Sequence, residues 1–409
     1  MSKIANRRKT GDQMLVRQLN TAVILDCLRL NSPLSRAETS SKTGLNRSTV
    51  SSIVNQLVQE GLVREIEFQK DKLGRPGMLL ELSPDGACAI GAEIGVGFVS
   101  IMLADFGAKP IWRKRVAVDP EIEQPAFIKR AGDLIQEALA RAKRQGSRPL
   151  GIGVGVSGLV DVQQGELVFA PNLKWSHVPL RQMLMERFDV PVFVENDANA
   201  AALGEYYFGV ARGVENFIYL SADVGLGGGI VLGGKLFRGN GGYAGEVGHM
   251  AFDPNGDLCG CGRRGCWELL VSPRVVVRNI QATLQNGADS LIRQLADGDL
   301  DNITFDQVIE AAQANDQVAL CALQDVARWL GIGIANLVNT LNPELVVLGG
   351  ELARASKALT PVIETTVREN ALEQPRKALK IAVSAYGSEA CVVGAAAIVL
   401  DEILRYPFP

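Results

Sequence analysis

Apolar positions in the first sixty residues recur at helical spacing. Leu15, Leu19 and Val23, with Ile24, Cys27 and Leu28, step by three and four between Asp12 and Leu30, the pattern of an amphipathic helix that Pro33 ends. Ser35-Arg36-Ala37-Glu38 has the form of a capping box opening a second short helix, and Gly44 stands where it should close. A third helix is predicted from Asn46 through Val50, Ile53, Val54, Leu57 and Val58 to a stop at Gly61. The period then drops to two: LVREIEF (62–68) and MLLELS (78–83) alternate as strands around QKDKLGRPG, with Arg75 at the tip.

Beyond the breaker Ser83–Gly86 the pattern changes to long apolar strands punctuated by glycine. Residues 87–111 read as two strands joined by a tight turn at Gly95–Gly97, and Gln124–Lys143 reads as a helix. PLGIGVGVSGLVD (149–161) is a buried strand entering a glycine-rich turn, and VPVFVENDANAAALGE (190–205) runs from strand to helix at Asn196, Asp197 and Asn199. ENFIYLSADVGLGGGIVLGGKL (215–236) repeats strand, glycine turn, strand; a helix (326–341), a strand (344–350) and an apolar final helix (390–404) follow. Two similar halves predict two α/β lobes with a cleft between them, where ligands favour binding. The expected division is a head over residues 1–85 and a body over 86–409.

Charge sharpens that division. Residues 1–50 hold nine Lys and Arg against three acids, a net +6, while the whole chain of 409 residues is −3. A basic head on an acidic body suggests nucleic acid at one end only. A short helix, a turn at Gly44–Leu45 and a third helix opening on Asn46 is the helix-turn-helix pattern, and the hairpin after it makes a wing. Arg47, Ser48, Thr49, Ser51 and Ser52 offer small or hydrogen-bonding side chains to a major groove, and Arg75 a cation to a flanking groove or backbone. Arg47 and Ser48 serve equally as phosphate contacts or base readers. A plain three-helix oligomerisation domain would not need the charge, the polar face and the wing together.

Chemistry concentrates in GGYAGEVGHMAFDPNGDLCGCGRRGCWE (241–268), which holds three of the seven cysteines and one of the two histidines. His249, Cys259, Cys261 and Cys266 form a Cys3His set, with Gly260, Gly262 and Gly265 free to turn around an ion. Four such ligands close a tetrahedral site, so structural rather than catalytic zinc is expected; buried free thiols are the plainer alternative. Glu246 and Glu268 flank the cluster and could accept hydrogen bonds from adjacent sugar hydroxyls. Clustered free thiols suit a reducing compartment. Neither a run of about 18 apolar residues nor a signal-peptide core is found, so a cytoplasmic protein without membrane association is expected.

GVSGLVD, NLKW, VENDANAAALGE, AGEVGH and CGCGRRGCWE occur in the order of the ROK family (repressors, open reading frames and sugar kinases), and the body resembles that family over nearly all of residues 88–409. The head resembles that of the xylose repressors. The resemblance implies a winged helix-turn-helix followed by a two-lobed, actin-like sugar kinase/Hsp70 fold. It also implies sugar contacts at Asn172, Asn196, Asp197, Glu246, His249 and Glu268, with Asp197 matching the kinases' general base.

The phosphate loops depart from the kinases of that family. The first reads Glu93-Ile94-Gly95-Val96-Gly97-Phe98 where kinases carry Asp-x-Gly-Gly-Thr. The second reads Asp223-Val224-Gly225 where they carry Gly-Thr-Gly. A carboxylate facing polyphosphate repels it, so neither ATP binding nor enzymatic activity is expected. The implied function is a sugar-responsive repressor acting on operator DNA as a homodimer or homotetramer. D-xylose is the favoured inducer, with D-glucose or N-acetylglucosamine as alternatives. A sugar kinase with a DNA-binding head, or a repressor controlled by a protein partner, are the rival readings.

Overall fold

A computed structural model describes residues 13–67, 78–83, 86–105, 109–119 and 121–405. The head comprises α1 (Gln13–Asn31), β1 (Leu34–Ser35), α2 (Arg36–Thr43), α3 (Arg47–Gln59), β2 (Val63–Glu67) and β3 (Met78–Leu82), its strands in the order β1-β3-β2. The capping box forms as its spacing predicts: Ser35 Oγ accepts from Glu38 N at 3.2 Å and Glu38 Oε2 accepts from Ser35 N at 2.8 Å. Gly44 ends α2 at φ 70°, a left-handed conformation that costs other residues strain. Asn46 caps α3 by accepting from Thr49 N at 2.8 Å. The wing strands pair antiparallel, Val63 opposite Leu82, while Arg75, expected from the sequence at the wing tip, and residues 1–12 lie outside the described residues.

The stripe expected on α1 is rotated. Leu19 and Val23 are 53% and 45% exposed, whereas Ile24, Leu25 and Leu28 are fully buried. This helix packs on two sides, against the rest of the head and against the body, so the 21/24/25/28 face is enclosed and Leu15, Leu19 and Val23 do not form the core stripe.

The first lobe runs β4 (Ala87–Gly95), β5 (Phe98–Asp105), β6 (Pro110–Ala117), α4 (Gln124–Arg144), β7 (Arg148–Val156), β8 (Leu159–Asp161), β9 (Glu166–Ala170), β10 (Trp175–Val178), α5 (Leu180–Met185) and β11 (Val192–Asn196). Then come α6 (Asp197–Phe208), β12 (Phe217–Ala222), β13 (Leu226–Leu232) and β14 (Lys235–Leu236). The second lobe continues through α7 (Pro273–Gln285), α8 (Ile292–Leu295), α9 (Phe305–Gln313), α10 (Gln317–Leu341), β15 (Leu345–Gly349), α11 (Ser356–Asn370), α12 (Glu373–Lys377), β16 (Lys380–Val383) and α13 (Ala390–Arg405).

The expected internal similarity is visible in the two main sheets. One has the order β11-β7-β4-β5-β6, the other β16-β15-β12-β13-β14 when read from the matching edge. In both, three parallel strands lead to an antiparallel hairpin, β4–β5 or β12–β13. Helices α6 and α13 pack closely beside them, as backbone approach at glycine permits. A Cβ on Gly153 would lie 1.8 Å from Ala395 O, and one on Gly394 would lie 1.7 Å from Ala200 O.

Among the described residues, α10 alone is long and apolar enough to cross a membrane. Its Leu323, Val326, Ile334 and Val338 are instead buried in the second lobe's core.

Candidate functional site

Between the lobes lies a cleft of about 960 Å³, and all six candidate sugar contacts line it: Asn172, Asn196, Asp197, Glu246, His249 and Glu268. Two come from one junction. Asn196 is the cap of α6, its Oδ1 accepting from Ala198 N at 2.9 Å and Asn199 N at 3.1 Å, while its Nδ2 donates to Gly158 O at 3.1 Å. Most of its side chain is therefore engaged in shaping the junction, which leaves one amide hydrogen toward the cleft. Asp197, the first helical residue, accepts from Ala198 N at 2.8 Å and takes a hydrogen bond from Ser157 Oγ. Ser157 was not anticipated; its role depends on a turn 40 residues upstream meeting the helix start.

Behind this junction is a buried ion pair that the sequence pattern did not reveal. Arg238 donates through Nε and Nη2 to Glu195 Oε2 at 2.8 and 2.7 Å, and Asn199 Nδ2 donates to Glu195 Oε1 at 3.1 Å. Glu195 is 1% exposed. The pair ties the loop that leads to Glu246 onto the end of β11, where Asn196 and Asp197 begin. A buried carboxylate needs this degree of compensation.

The cysteine cluster forms one wall. The ligand atoms of His249, Cys259, Cys261 and Cys266 all lie within 4.8 Å of one another, so the four could hold a metal ion. Cys259 Sγ is 3.7 Å from His249 Nδ1, and the Cys261 and Cys266 sulfurs are 3.6 Å apart. A tetrahedral shell with metal–sulfur bonds of ~2.3 Å has edges of about that length. Gly262 and Gly265 adopt φ 85° and 64° as the tight loop requires, whereas Gly260 does not take a positive φ and its turn needs no glycine. The cysteine loop reaches into the cleft: Cys259 Sγ donates to Glu268 Oε1 at 2.8 Å, and His249 Nε2 stands 3.8 Å from Glu246 Oε2. Burial in the cleft, then the charges of Asp197 and Glu268, push the Glu246 carboxyl up to about 7.

At the opposite end of the cleft, two features occupy the turns where the family's kinases carry their phosphate loops. The Phe98 ring folds back over the first glycine turn, so that a Cβ on Gly95 would lie 2.2 Å from Phe98 Cζ. Arg115 stacks on that ring with its guanidinium carbon 3.6 Å from the centroid. At the second loop Asp223 accepts from Ser221 Oγ at 2.8 Å and from Glu351 N at 2.7 Å. Its carboxylate thus occupies the start of the 3-10 turn Glu351–Ala355, a place suited to an anion. Burial raises its pKa, opposed by those two hydrogen bonds. Glu93, nine-tenths buried with Oε2 unpartnered, is pushed up to about 8 by burial, with Arg115 opposing and Asp197, Asp223 and Glu389 adding.

On the head, Arg47, Ser48 and Ser52 are exposed, and Thr49 and Ser51 are half-buried. Ser48 Oγ donates to Asn46 Oδ1 at 2.7 Å, and Ser52 Oγ receives Arg17 Nη1 at 3.4 Å. Asn55 continues the exposed face seven residues after Ser48, a position that helical spacing could have identified.

These observations define a DNA-binding head on a two-lobed, actin-like ligand-binding body. The chain belongs to the ROK family, which it matches over residues 89–402; residues 23–64 match the winged helix-turn-helix DNA-binding family. It is 35% identical to the xylose repressor of Caldicellulosiruptor bescii over 397 residues, 97% of this chain and 99% of that one. Against the DNA-binding transcriptional dual regulator NagC of Escherichia coli it is 30% identical over 395 residues, 97% of this chain and 95% of that one. Among solved structures, a ROK family transcriptional regulator described as a homolog of the E. coli MLC protein superposes with a TM-score of 0.82. It shares 29% identity and covers 94% of this chain and 96% of its own. A ROK glucokinase from Streptomyces griseus, in complex with glucose and AMPPNP, matches with a TM-score of 0.69 and 35% identity, over 77% of this chain and all of the kinase.

Proposed function

We propose that the protein is a sugar-responsive transcriptional repressor without kinase activity. The observation that carries this reading is the asymmetry of the cleft. Its sugar end presents six convergent polar residues, while its phosphate end is lined by the Phe98 ring folded onto Gly95 and by the internally bonded Asp223 carboxylate. A sensor needs the first end and a kinase needs both. Similarity over nearly the full length to proteins named as repressors supports the same reading.

Residues 1–85 form the DNA-binding unit in this reading. Arg47, Ser48, Thr49, Ser51, Ser52 and Arg75 face DNA, and residues 86–409 bind sugar and assemble the oligomer. A homodimer or homotetramer in the cytoplasm would place two heads on half-sites ~34–36 Å apart. His249 Nδ1 and the sulfurs of Cys259, Cys261 and Cys266 would hold zinc, which supplies a fixed tether for the loop bearing Glu268 and orients His249 toward Glu246. Asn172, Asn196, Asp197, Glu246, His249 and Glu268 would then share the sugar hydroxyls.

D-xylose is the favoured sugar, given the 35% identity to the relative named xylose repressor against 30% to NagC. The test is a gel shift on DNA upstream of the protein's own gene, with D-xylose, D-glucose or N-acetylglucosamine. Release by D-xylose alone is expected. Binding that no sugar disturbs would overturn the sugar-sensor reading, and sugar-dependent ATP turnover abolished in Asp197→Asn would restore the kinase.

A further inference from the structure

Helix α6 has both ends in places that matter. Its first turn carries Asp197 and the Asn196 cap into the cleft, and its last turn, ~18 Å away for 12 residues, reaches the head. There, the side chain of Arg29 from α1 is 7% exposed. Its guanidinium carbon stands 4.5 Å from the centroid of the Tyr207 ring and 5.8 Å from that of Tyr206, and Nη1 donates to Tyr207 O at 3.5 Å. A cation at a helix C-terminus also meets the negative end of the helix dipole. Arg212, just beyond α6, donates through Nη2 to Arg29 O at 2.7 Å, so the contact is made from both sides.

Neither partner is loose. Asp26 accepts from Arg29 Nε and Nη2 at 2.9 and 2.7 Å and sets the guanidinium plane. Tyr207 OH donates to Asp401 Oδ1 at 2.5 Å, tying the ring to α13, and Tyr386 OH donates to Phe208 O at 2.9 Å. Along its length α6 meets α13 through small residues, with Gly204 and Gly394 in backbone contact. Helices packed so closely move as a block rather than bending independently.

We propose that α6 is the coupling element between sugar and DNA, and that Arg29 is the residue through which the head reads its position. The inference rests on the sugar-responsive reading above. Sugar hydroxyls engaging the Asn196–Asp197 end favour one position of the α6–α13 block over another. The Tyr206–Tyr207 end then carries Arg29, and with it α1, which alters the setting of the recognition helix. Such differential contact is what a ligand needs in order to shift a two-state equilibrium.

The test measures operator affinity by fluorescence anisotropy with and without saturating D-xylose, with D-glucose and N-acetylglucosamine run in parallel on wild type, and D-xylose affinity by calorimetry, for the full-length protein. Wild type should show a sugar effect of about 5- to 150-fold. Arg29→Gln, which keeps the side chain's bulk and removes its charge, should bring the effect below about twofold. Its sugar affinity should be unchanged, because coupling is lost rather than binding. By reciprocity, operator DNA should change D-xylose affinity by the same factor in wild type and leave it unchanged in the variant. Arg212→Gln, altered on the surface, provides a second variant should Arg29→Gln misfold, and should weaken the coupling while leaving the melting temperature intact. A wild type that responds while both variants respond equally overturns the coupling role alone. A wild type indifferent to D-xylose, D-glucose and N-acetylglucosamine overturns the sugar-sensor reading and the coupling role together.

Discussion

Glu93 shows how far one position has moved from carrying charge toward staying neutral. It sits beside the first phosphate turn with one oxygen unpartnered and its carboxyl raised to about 8. In the unfolded chain the same group ionises near the ordinary value of 4.5. Between those two values the folded state holds the proton that the unfolded state has lost. Stability from this group is therefore full below pH 4.5 and falls as pH rises toward 8. Glu93→Gln removes the titration and keeps the shape. At pH 5 the variant should melt close to wild type, and at pH 8 it should melt higher by a few degrees, equivalent to at least about 1 kcal/mol. Parallel pH profiles for the two proteins would show that Glu93 is ionised in the fold.

At the scale of elements, the parts set by local rules were readable from sequence and those set by meetings of distant segments were not. The capping box at Ser35, the glycine-ended α2, the start of α3 near Asn46 and both strand hairpins follow from adjacent residues, and they stand as expected, with Asn46 itself serving as the cap of α3 rather than as part of its first turn. The face of α1 did not follow, because it is chosen by two packing partners, one of them α13 far along the chain. The Glu195–Arg238 pair spans 43 residues and carries no spacing signal. At the phosphate end, sequence showed that a threonine was replaced by Phe98 but not that its ring would turn back onto Gly95. It also suggested that Asp223 repels an anion, whereas the carboxylate occupies the anion's place. The seam of α6 and α13 is similarly a tertiary fact. Gly394→Val would drive a side chain into the backbone of Ala200, and we expect destabilisation of about 3 kcal/mol or more, read as a lowered thermal midpoint and loss of sugar response. An unchanged midpoint would mean that the two helices are not in register as described.

For the molecule as a whole, the cysteine loop connects the cleft to the deepest part of the second lobe. Trp267 follows Cys266, is fully buried, stacks on Phe252 at 5.3 Å and donates through Nε1 to Trp329 O at 3.0 Å. It is seated so tightly on α10 that a Cβ on Gly333 would lie 2.0 Å from its ring. The Trp267 end of the loop is thus held by packing, while Cys259–Gly265 is held by backbone hydrogen bonds such as Cys259 N to Arg263 O at 2.7 Å and Gly265 N to Asp257 O at 2.9 Å, to which bound zinc would add four ligands. Removing one ligand should accordingly disorder the cleft wall without dismantling the lobe. Cys261→Ser should lose bound zinc, measured by elemental analysis, and bind sugar about 10- to 100-fold more weakly, because His249 and Glu268 lose the tether that orients them. Far-UV circular dichroism should stay close to wild type, since α10 and the two sheets keep their cores. Full zinc content with unchanged sugar affinity in the variant would exclude Cys261 as a needed ligand and leave the orientation of Glu268 to its neighbours in the cleft, while a wild type without zinc would assign the cluster to ordinary thiol packing.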